Sequence, residues 1–231
     1  MVDEITNPLV SIVIVSHRPE KLISCLRTVN EQTYRPIEVI VETRGNNPAQ
    51  KRNLGFKQSH GDFILFLEDD ERPSSYLISE CLDLVGDIIG VPIAETPPKT
   101  YFGRCIYMVR TNVPRLTFFS RSALEGLGDF NPNYIFCDDV EFEQRARFAG
   151  LQIDYIKESS IKHEPSYNLK YMVKQVYYAS KGFRMLNMLY GPMGNRGKNE
   201  KKIIQVALSS PKYLPGIALV MILRAITRRL S

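Results

Sequence analysis

The sequence predicts an α/β fold with a mainly parallel central sheet flanked by helices. Three short apolar runs occupy residues 10–16 (VSIVIVS), 37–41 (IEVIV) and 63–67 (FILFL). The first run lacks an extended polar alternation, which is typical of a strand buried on both faces, and the third is also predicted to be a buried strand. Segments with helical spacing separate them. Because the connections are short, strands and helices that alternate in this way form right-handed βαβ units with parallel strands.

The helices of the first half have recognisable starting signals. Pro19 stands where a helix would begin, and apolar residues recur behind it at helical spacing. A second helix is predicted over residues 49–59, although Gly55 lowers its helix propensity. After the third strand, Ser74 is predicted to cap a helix that continues to about residue 85.

The pattern becomes less regular after about residue 86. Further strands are predicted over residues 88–93 and 106–111, with a Pro/Gly/Thr-rich loop over residues 94–103 between them. The later predicted elements are two helices, a strand and a long helix, at residues 122–126, 138–149, 153–156 and 168–190 respectively.

The composition is that of a globular protein that can form a full core, with 44% hydrophobic and 24% charged residues. The 4 cysteines lie far apart and form no CxxC pair, which argues against a disulfide framework or a thiolate zinc site. It also favours a reducing compartment. The first residues lack the basic flank and apolar core of a signal peptide, so a cytoplasmic location is expected.

The C-terminal part of the chain is strongly basic. Residues 162–231 contain 13 Lys/Arg but only Glu164 and Glu200 as acidic residues, which suggests an anionic partner or a solvated basic surface. An apolar stretch at residues 214–223 is too short to span a bilayer. We therefore expect a peripheral helix on the cytoplasmic face of the membrane, with residues 198–231 contacting anionic lipid. A helix packed on the domain and a homodimer contact are the alternatives.

Residues 68–71 (EDDE) place four consecutive acidic side chains directly after the third predicted strand. Ligands of α/β sheets bind beyond the carboxyl ends of the strands, and hard oxygen ligands suit Mg²⁺ or Mn²⁺. A divalent cation would also remove the repulsion between the four carboxylates. The alternative is a solvated acidic turn, in which Glu71 caps the following helix.

Residues 10–42, 51–73 and 121–156 together resemble three segments of the inverting family 2 glycosyltransferases of GT-A fold. Residues 10–42 (VSIVIVSHRPEKLISCLRTVNEQTYRPIEVIVE) resemble the first strand, the Pro-started helix, the Q-T-Y turn and the second strand of that family. Residues 51–73 (KRNLGFKQSHGDFILFLEDDERP) resemble the segment that carries its acidic metal-binding motif. Residues 121–156 (RSALEGLGDFNPNYIFCDDVEFEQRARFAGLQIDYI) resemble the acceptor-side segment. The segments occur in the order of the family.

The resemblance implies a GT-A (Rossmann-like) catalytic domain over residues 1–165. The nucleotide-sugar-binding half is expected at about residues 8–95 and the acceptor half at about residues 96–165, followed by a basic helical extension over residues 166–231. The implied activity is the transfer of a sugar, of hexosyl type, from a nucleotide-diphosphate donor to an acceptor hydroxyl with inversion. A lipid-linked or growing glycan is the expected acceptor, and the process is polysaccharide biosynthesis.

The resemblance also implies roles for individual residues. Asp70 corresponds to the direct ligand of Mn²⁺ or Mg²⁺, and Glu68 and His163 lie at neighbouring metal positions of the family motifs. The residues implied on the donor side are Ser16, Glu42, Arg52, Glu68 and Asp69. A structural histidine is the alternative for His163. The chain departs from the family in having ETRG at residues 42–45, where DDGS is usual, and Glu68 where Asp is usual.

Inverting transfer requires a base that takes the proton of the acceptor hydroxyl, and such assistance contributes roughly 10²–10⁴-fold to the rate. The resemblance implies that Asp139 is this base and that Asp138 orients the base or the acceptor. Simple capping of the helix that starts here is the alternative, since acidic side chains in a first turn interact favourably with the helix dipole.

Two other functions fit parts of the sequence. A degenerate GT-A domain could bind glycan or dock on a membrane without catalysis. A sugar nucleotidyltransferase would normally have a glycine-rich phosphate loop after the first strand, and residues 16–21 (SHRPEK) contain no glycine. Nucleic-acid binding is not expected, because no nucleic-acid-binding module is recognised.

Overall fold

A six-stranded sheet forms the centre of the first of two structural units. The structure, a computed structural model, describes residues 7–110, 114–164, 167–191, 205 and 208–230. The first unit is formed by the described residues of 1–94, 113–133 and 138–164, and the second by those of 95–112, 134–137 and 165–231. Contacts thus group residues 95–112 with the C-terminal helices, whereas the sequence analysis places them in the acceptor half.

The strands alternate with helices along most of the chain. In chain order the strands are β1 Val10–Val15, β2 Ile37–Glu42, β3 Phe63–Glu68, β4 Glu71–Pro73, β5 Ile88–Val91, β6 Ile93–Glu95, β7 Arg115–Ser120, β8 Ile153–Tyr155 and β9 Ile161–His163. The helices are α1 Pro19–Asn30, α2 Pro48–Gln58, α3 Leu77–Leu82, α4 Tyr101–Met108, α5 Arg121–Leu127, α6 Asp138–Phe148, α7 Leu169–Tyr190 and α8 Leu214–Leu230. A 3₁₀ turn, Pro211–Tyr213, precedes α8.

The order of the large sheet is β2-β1-β3-β7-β5-β8. β1 is parallel to β2 and β3, and β5 is parallel to β8. β7 is antiparallel to both β3 and β5. The predicted fold class, a mainly parallel sheet flanked by helices, is therefore confirmed, and one antiparallel strand makes the sheet mixed.

Both faces of this sheet are covered, as the apolar runs predict. Ile12 and Ile14 of β1 pack in a core cluster that contains residues of α1 and α3. Val13, between them, faces the opposite side, where the cluster contains residues of α2, α5 and α6. Alternate side chains of one strand therefore serve two hydrophobic cores, which explains why the strand has no polar face.

The segment after the acidic cluster differs from its prediction. Residues 71–73 form β4, which pairs with β9 in a small sheet of order β4-β9-β6. The predicted helix start at Ser74 is wrong, because α3 begins three residues later, at Leu77. The Ser74 hydroxyl donates instead to the carbonyl of Ser160 at 2.7 Å and accepts its N–H at 3.1 Å. Ser74 thus forms tertiary hydrogen bonds in place of the helix cap that the local sequence predicts.

The segment around residue 106 also differs from its prediction. The strand predicted over residues 106–111 is wrong, since residues up to Met108 belong to α4, and residues 111–113 lie outside the described part of the chain. The Thr100 side chain caps α4 by accepting the Gly103 N–H at 3.2 Å. Cys105, Ile106 and Val109 share one buried face at helical spacing. A short apolar run does not distinguish a strand from a buried helix.

The second unit is a helical assembly with its own core. Buried residues of α4, α7 and α8 meet in one cluster: Cys105, Ile106, Val109, Met172, Ile217 and Val220. The buried Glu95 pairs with Arg110 at 3.0 Å and accepts the Tyr167 hydroxyl at 2.7 Å. Among the described residues, none of the helices has the length and apolarity needed to span a membrane.

The first testable prediction concerns the close packing of α2 on β1. A Cβ added to Gly55 would lie well inside van der Waals distance of Cγ1 of Val13, a stiff side chain in the core. We expect Gly55→Ala to lower the free energy of unfolding, because overpacking that costs about 1–3 kcal/mol exceeds the gain of about 1 kcal/mol in helix propensity. Urea denaturation measures the change.

Gly126 of α5 is the matched control, since a Cβ there meets nothing within 4 Å. We expect Gly126→Ala to be neutral or stabilising by up to about 1 kcal/mol. Equal effects of the two substitutions would show that Gly55 is not required by the packing of α2 on β1.

Candidate active site

The acidic cluster lies at the carboxyl end of β3, where the sequence analysis places it. Glu68 is the last residue of β3, and Asp69 and Asp70 form the turn before β4. Asp69, Asp70 and Glu71 are buried, whereas the Glu68 side chain is 32% exposed. Four adjacent carboxylates in this environment repel one another and lose hydration, so each requires a partner.

Asp69 holds the loop between β1 and α1. Its Oδ2 accepts the backbone N–H groups of His17 at 2.6 Å and Arg18 at 2.7 Å, and the Ser16 hydroxyl at 3.2 Å. Its Oδ1 accepts from Nη2 of Arg18 at 2.9 Å. The structure thus brings together Ser16 and Asp69, two residues predicted on the donor side. The Asp69 carboxylate orders the loop after β1.

Asp70 has one satisfied oxygen and one unsatisfied oxygen. Its Oδ2 lies 2.6 Å from Nη2 of Arg18 and 3.4 Å from Nζ of Lys21. Its Oδ1 is buried and has no hydrogen-bond partner among the described residues. Burial by itself raises the pKa of Asp70. Nevertheless the close contact with His163 and the charges of Arg18 and Lys21 hold the pKa below its ordinary value, so Asp70 is ionised at neutral pH.

The residues predicted to bind metal converge at this unsatisfied oxygen. Nε2 of His163 lies 3.5 Å from Oδ1 of Asp70. His163 arrives there because β9 pairs with β4 in a register that places it opposite Glu71. One potential ligand atom each from Glu68, Asp70 and His163 lie within 4.8 Å of one another. The donor set and the orphaned carboxylate oxygen fit a divalent cation.

Arg52 of α2 connects the acidic cluster to the start of α6. Its guanidinium is buried, and Nη1 contacts Oδ2 of Asp138, while Nη2 lies 3.6 Å from Oε1 of Glu68. The guanidinium also lies over the ring of Phe130. Burial raises the pKa of Asp138 to about 6; Arg52 opposes this rise, and the neighbouring Asp139 adds to it. Arg52 therefore links the acidic cluster to the Asp138–Asp139 pair.

Asp139 is the more accessible member of the acidic pair. Asp138 is buried against Arg52, whereas Asp139 is half-buried and accepts the N–H of Val140 at 2.8 Å. Asp139 lines a cleft together with Arg52, Glu68, Arg115 and Phe130. The Asp139 carboxylate is thus the one of the pair that a ligand in this cleft would meet.

Glu71 is buried, pairs with the partly buried Arg115 and does not cap a helix. Its Oε1 contacts Nη2 of Arg115, the first residue of β7, and its Oε2 accepts the N–H of Glu68 at 2.9 Å. Nη1 of Arg115 also lies 3.5 Å from Glu68. Although burial opposes charge on Arg115, the carboxylates of Glu71 and Glu68 raise its pKa, so it stays protonated. The alternative in which Glu71 caps the following helix is wrong, because β4 and not a helix follows.

The acidic cluster thus has cationic partners from the protein itself, and of these only Arg52 was predicted as a site residue. Arg18 and Lys21 come from the start of α1, Arg52 from α2 and Arg115 from β7. The signal for Arg18 and Lys21 was present in residues 16–21, directly after the first strand. Arg115 could not be placed in the same way, because β7, the strand that carries it, was not predicted.

The carboxylate of Glu42 accepts hydrogen bonds from Arg44 and Gln58. Its carboxylate accepts Nε of Arg44 at 3.0 Å, Nη2 of Arg44 at 2.6 Å, the Arg44 N–H at 2.7 Å and Nε2 of Gln58 at 2.7 Å. The hydrogen bonds from Arg44 lower the pKa of Glu42 to about 2. Glu42 therefore contacts these two residues rather than the acidic cluster, and Arg44 presents the exposed end of the pair.

A buried lysine joins the carboxyl ends of β1 and β2. Nζ of Lys51 donates to the carbonyls of Ser16 at 2.6 Å and Thr43 at 2.7 Å. Burial lowers the pKa of Lys51, which the charge of Glu42 partly counteracts. Lys51 was not predicted as a site residue, because its position in the sequence of α2 does not distinguish a buried lysine from a solvated one.

The second testable prediction concerns the pH dependence of the Glu42 contacts. The pKa of Glu42 in the folded protein lies below the ordinary value of 4.5, so these contacts stabilise the fold above that pH. Their contribution is lost as the pH falls from 4.5 toward about 2. We expect the difference in unfolding free energy between the wild type and Glu42→Gln to shrink over this range, measured by urea denaturation.

Glu125→Gln is the control, because Glu125 forms an exposed pair with Arg121 at 3.8 Å. We expect no comparable pH trend for it. A Glu42→Gln difference that is independent of pH across the acidic range would contradict the assignment.

Comparisons with known proteins identify the fold. The model of the family described as glycosyl transferase family 2 matches residues 30–97, which include β2, α2, β3 and the acidic cluster. No curated protein is significantly similar to the chain in sequence.

Solved structures share the fold across most of the chain. The mannosyltransferase PcManGT from Pyrobaculum calidifontis, in complex with GDP-Man and Mn²⁺, has a TM-score of 0.57 and 14% identity, and the match covers 96% of this chain and 76% of that one. Residues 1–349 of S. aureus TarS in complex with UDP have a TM-score of 0.54 and 13% identity, with 85% and 70% covered. The same TarS fragment with UDP-GlcNAc has a TM-score of 0.52 and 12% identity, with 87% and 72% covered.

At these identities the solved structures establish the fold alone. The family model matches residues 30–97 and does not extend to the rest of the chain. The chain has the GT-A fold, and its resemblance to the family 2 glycosyltransferases is confirmed.

Proposed function

We propose that the protein is an inverting glycosyltransferase that moves a sugar from a nucleotide-diphosphate donor to an acceptor hydroxyl. The observation that carries this proposal is the position of Asp138 and Asp139 beside the acidic cluster. Arg52 contacts Asp138 and lies 3.6 Å from Glu68. The candidate base Asp139 and the candidate metal ligand Glu68 line one small cleft. Transfer requires a base for the acceptor hydroxyl and positive charge for the leaving group at one reacting centre.

The donor side is proposed to lie at the carboxyl ends of β1, β2 and β3. Complexes of similar folds with UDP, UDP-GlcNAc and GDP-Man support a nucleotide-sugar donor. Ser16 and Asp69 order the loop after β1, which brings Arg18 and Lys21 to the site. In the same way Glu42 acts through Arg44, which it holds by two side-chain hydrogen bonds. These residues position the cations that an anionic donor meets.

Glu68, Asp70 and His163 are the residues that would hold Mn²⁺ or Mg²⁺. A divalent cation bound there supplies positive charge opposite the departing nucleoside diphosphate. The Mn²⁺ complex of the mannosyltransferase supports a divalent metal. Arg52 lies at the border of the same cleft, where its charge favours a developing negative charge on the leaving group.

Asp139 is proposed to take the proton from the acceptor hydroxyl. Asp138 is the less suitable base, because it is buried and Arg52 occupies one of its oxygens. Its pairing with Arg52 fixes the start of α6 and thereby orients Asp139 in the cleft. Asp138 is accordingly a positioning residue.

One observation favours a second candidate, a catalytically degenerate domain that binds glycan. Both Asp70 Oδ2 and Glu42 are already occupied by cationic side chains of the protein. A donor or metal would compete with Arg18 and Lys21 for Asp70. The two candidates differ in whether a donor and a metal bind together.

The acceptor is proposed to be a lipid-linked or growing glycan, in polysaccharide biosynthesis at the cytoplasmic face of a membrane. The support is the basic composition of residues 162–231. A homodimer is the alternative use of this part of the chain.

The third testable prediction concerns the donor and metal. We expect UDP- or GDP-sugars to raise the melting temperature of the protein more in the presence of Mn²⁺ than in its absence, because ligands that bind only the folded state stabilise it. Asp70→Asn should remove the metal-dependent part. Asp83→Asn, which changes an exposed acid at the end of α3, is the control and should retain it.

The donor and metal would bind separately or not at all in a degenerate domain. Absence of any metal-dependent stabilisation by UDP-, GDP- or dTDP-sugars would therefore count against the proposed transferase.

The fourth testable prediction concerns the base. We expect Asp139→Asn to lower kcat for sugar transfer by roughly 10²–10⁴-fold, the usual contribution of a general base. Stabilisation by the donor and Mn²⁺ should be unchanged, since Asp139 is not among the predicted donor or metal ligands. Glu143→Gln, one turn further along α6, is the control and should keep wild-type kcat. Full transfer activity of Asp139→Asn would refute the base assignment.

A further inference from the structure

The last helix of the second unit has an apolar face that its own core does not use. Gly216, Ile217, Val220 and Thr227 are buried and form the inner face of α8. On the other side, Leu219, Ile222, Ile226 and Leu230 are 40%, 56%, 50% and 74% exposed. We call these four exposed side chains the outer stripe of α8.

The outer stripe is a continuous feature of one side of the helix. Its members are separated by three, four and four residues, which is the spacing of neighbours along one face. Pro215 and Ala218 are also exposed, at the start of the same helix. Over 17 residues, α8 extends roughly 25 Å. Scattered single apolar residues are normal on protein surfaces, but an aligned set along a helix marks an interaction site.

The charge of the second unit identifies the kind of partner. Residues 167–191, 205 and 208–230 contain no Asp or Glu. Lys170, Lys174 and Lys181 are exposed along one side of α7, at helical spacing. Lys212 and Arg229 are exposed near the two ends of α8. A surface that is apolar along one line and carries only positive charge around it matches the boundary between acyl chains and anionic headgroups.

We propose that α8 docks in the plane of an anionic lipid surface through its outer stripe. The aliphatic side chains enter the acyl boundary, and Lys212 and Arg229 contact headgroup phosphates. The helix lies on the surface and does not cross it, because its inner face is needed for packing against α4 and α7. The inference deepens the membrane location given in the proposed function, but it uses no residue of the candidate active site and does not depend on the transfer activity.

Two other occupants fit the surface less well. A symmetric contact between two copies would bring the same acid-free, positively charged surfaces together, which is electrostatically unfavourable. A nucleic acid would use the basic residues but leave the aliphatic stripe in water, since phosphates are bound by Lys, Arg and polar groups. Only a lipid surface uses both features.

The experiment is flotation of the full chain with vesicles. One set contains equal parts of phosphatidylcholine and phosphatidylglycerol, and the other contains phosphatidylcholine alone. We expect binding to the anionic vesicles, weaker binding to the neutral ones, and a decrease with added salt. The double variant Ile222→Asp/Ile226→Asp should lower the partition coefficient by about tenfold or more, because charged side chains are excluded from the acyl boundary.

Ile23→Asp is the matched control, since Ile23 is 68% exposed on α1 of the first unit. It should leave vesicle binding unchanged. Lys212→Glu/Arg229→Glu should reduce binding to anionic vesicles but not to neutral ones. Circular dichroism and the melting temperature establish that each variant is folded, which is expected because all substituted side chains are exposed.

Several results would overturn the proposal. These are no binding to anionic vesicles, binding that survives the double stripe variant, or an equal loss with Ile23→Asp. A dimer in light scattering that the stripe variant dissociates, without effect on vesicles, would assign the face to a second copy. Competition by a short RNA that only the charge variants relieve would assign it to nucleic acid. Donor stabilisation of the melting temperature should be the same in all variants, so a failure here is separable from a failure of the proposed transferase.

Discussion

Four carboxylates at the end of β3 must be held together although they repel one another, and much of the first unit serves this requirement. Cations reach them from three separate segments: the start of α1, the middle of α2 and the first residue of β7. Backbone N–H groups of the loop after β1 add further donors to Asp69. Because removal of one partner from a buried ion pair leaves an uncompensated charge, these segments depend on one another for stability.

The same arrangement prepares the site for chemistry. Neutralising groups occupy one oxygen of Asp70. The other oxygen is buried, has no hydrogen-bond partner among the described residues, and lies 3.5 Å from Nε2 of His163. Arg52 compensates Glu68 and Asp138 together, so the candidate base helix is tied to the acidic cluster by charge. Preorganised groups of this kind stabilise developing charge without reorganising during the reaction. Structural neutralisation and the proposed catalysis therefore share residues.

Most of the fold of the first unit follows from local pattern. β1 and β3 were predictable because their residues are buried on both faces, whereas β2 exposes Val39 and Val41. The helices α2, α5 and α6 were predictable because their sequence patterns agree with their tertiary packing. The prediction was wrong for α4, residues 101–108. Their apolar run suits a strand as well as a helix, and packing against α7 and α8 decides between them. β7 was missed because its six residues lie in an irregular region and show no distinguishing period.

By itself, the sequence determined the two-sided burial of the first strands, the acidic cluster at the end of the third, the acidic start of α6, and a C-terminal region almost free of acidic residues. These properties depend on neighbours in the chain. Only the tertiary structure decided which cations meet which carboxylates, that Glu42 is occupied by Arg44, and that Glu71 pairs with Arg115 rather than capping a helix. It also decided that one face of α8 is left outside the core. The reason is physical: spacing along the chain specifies a side chain's face, whereas its partner depends on which distant segments fold against that face.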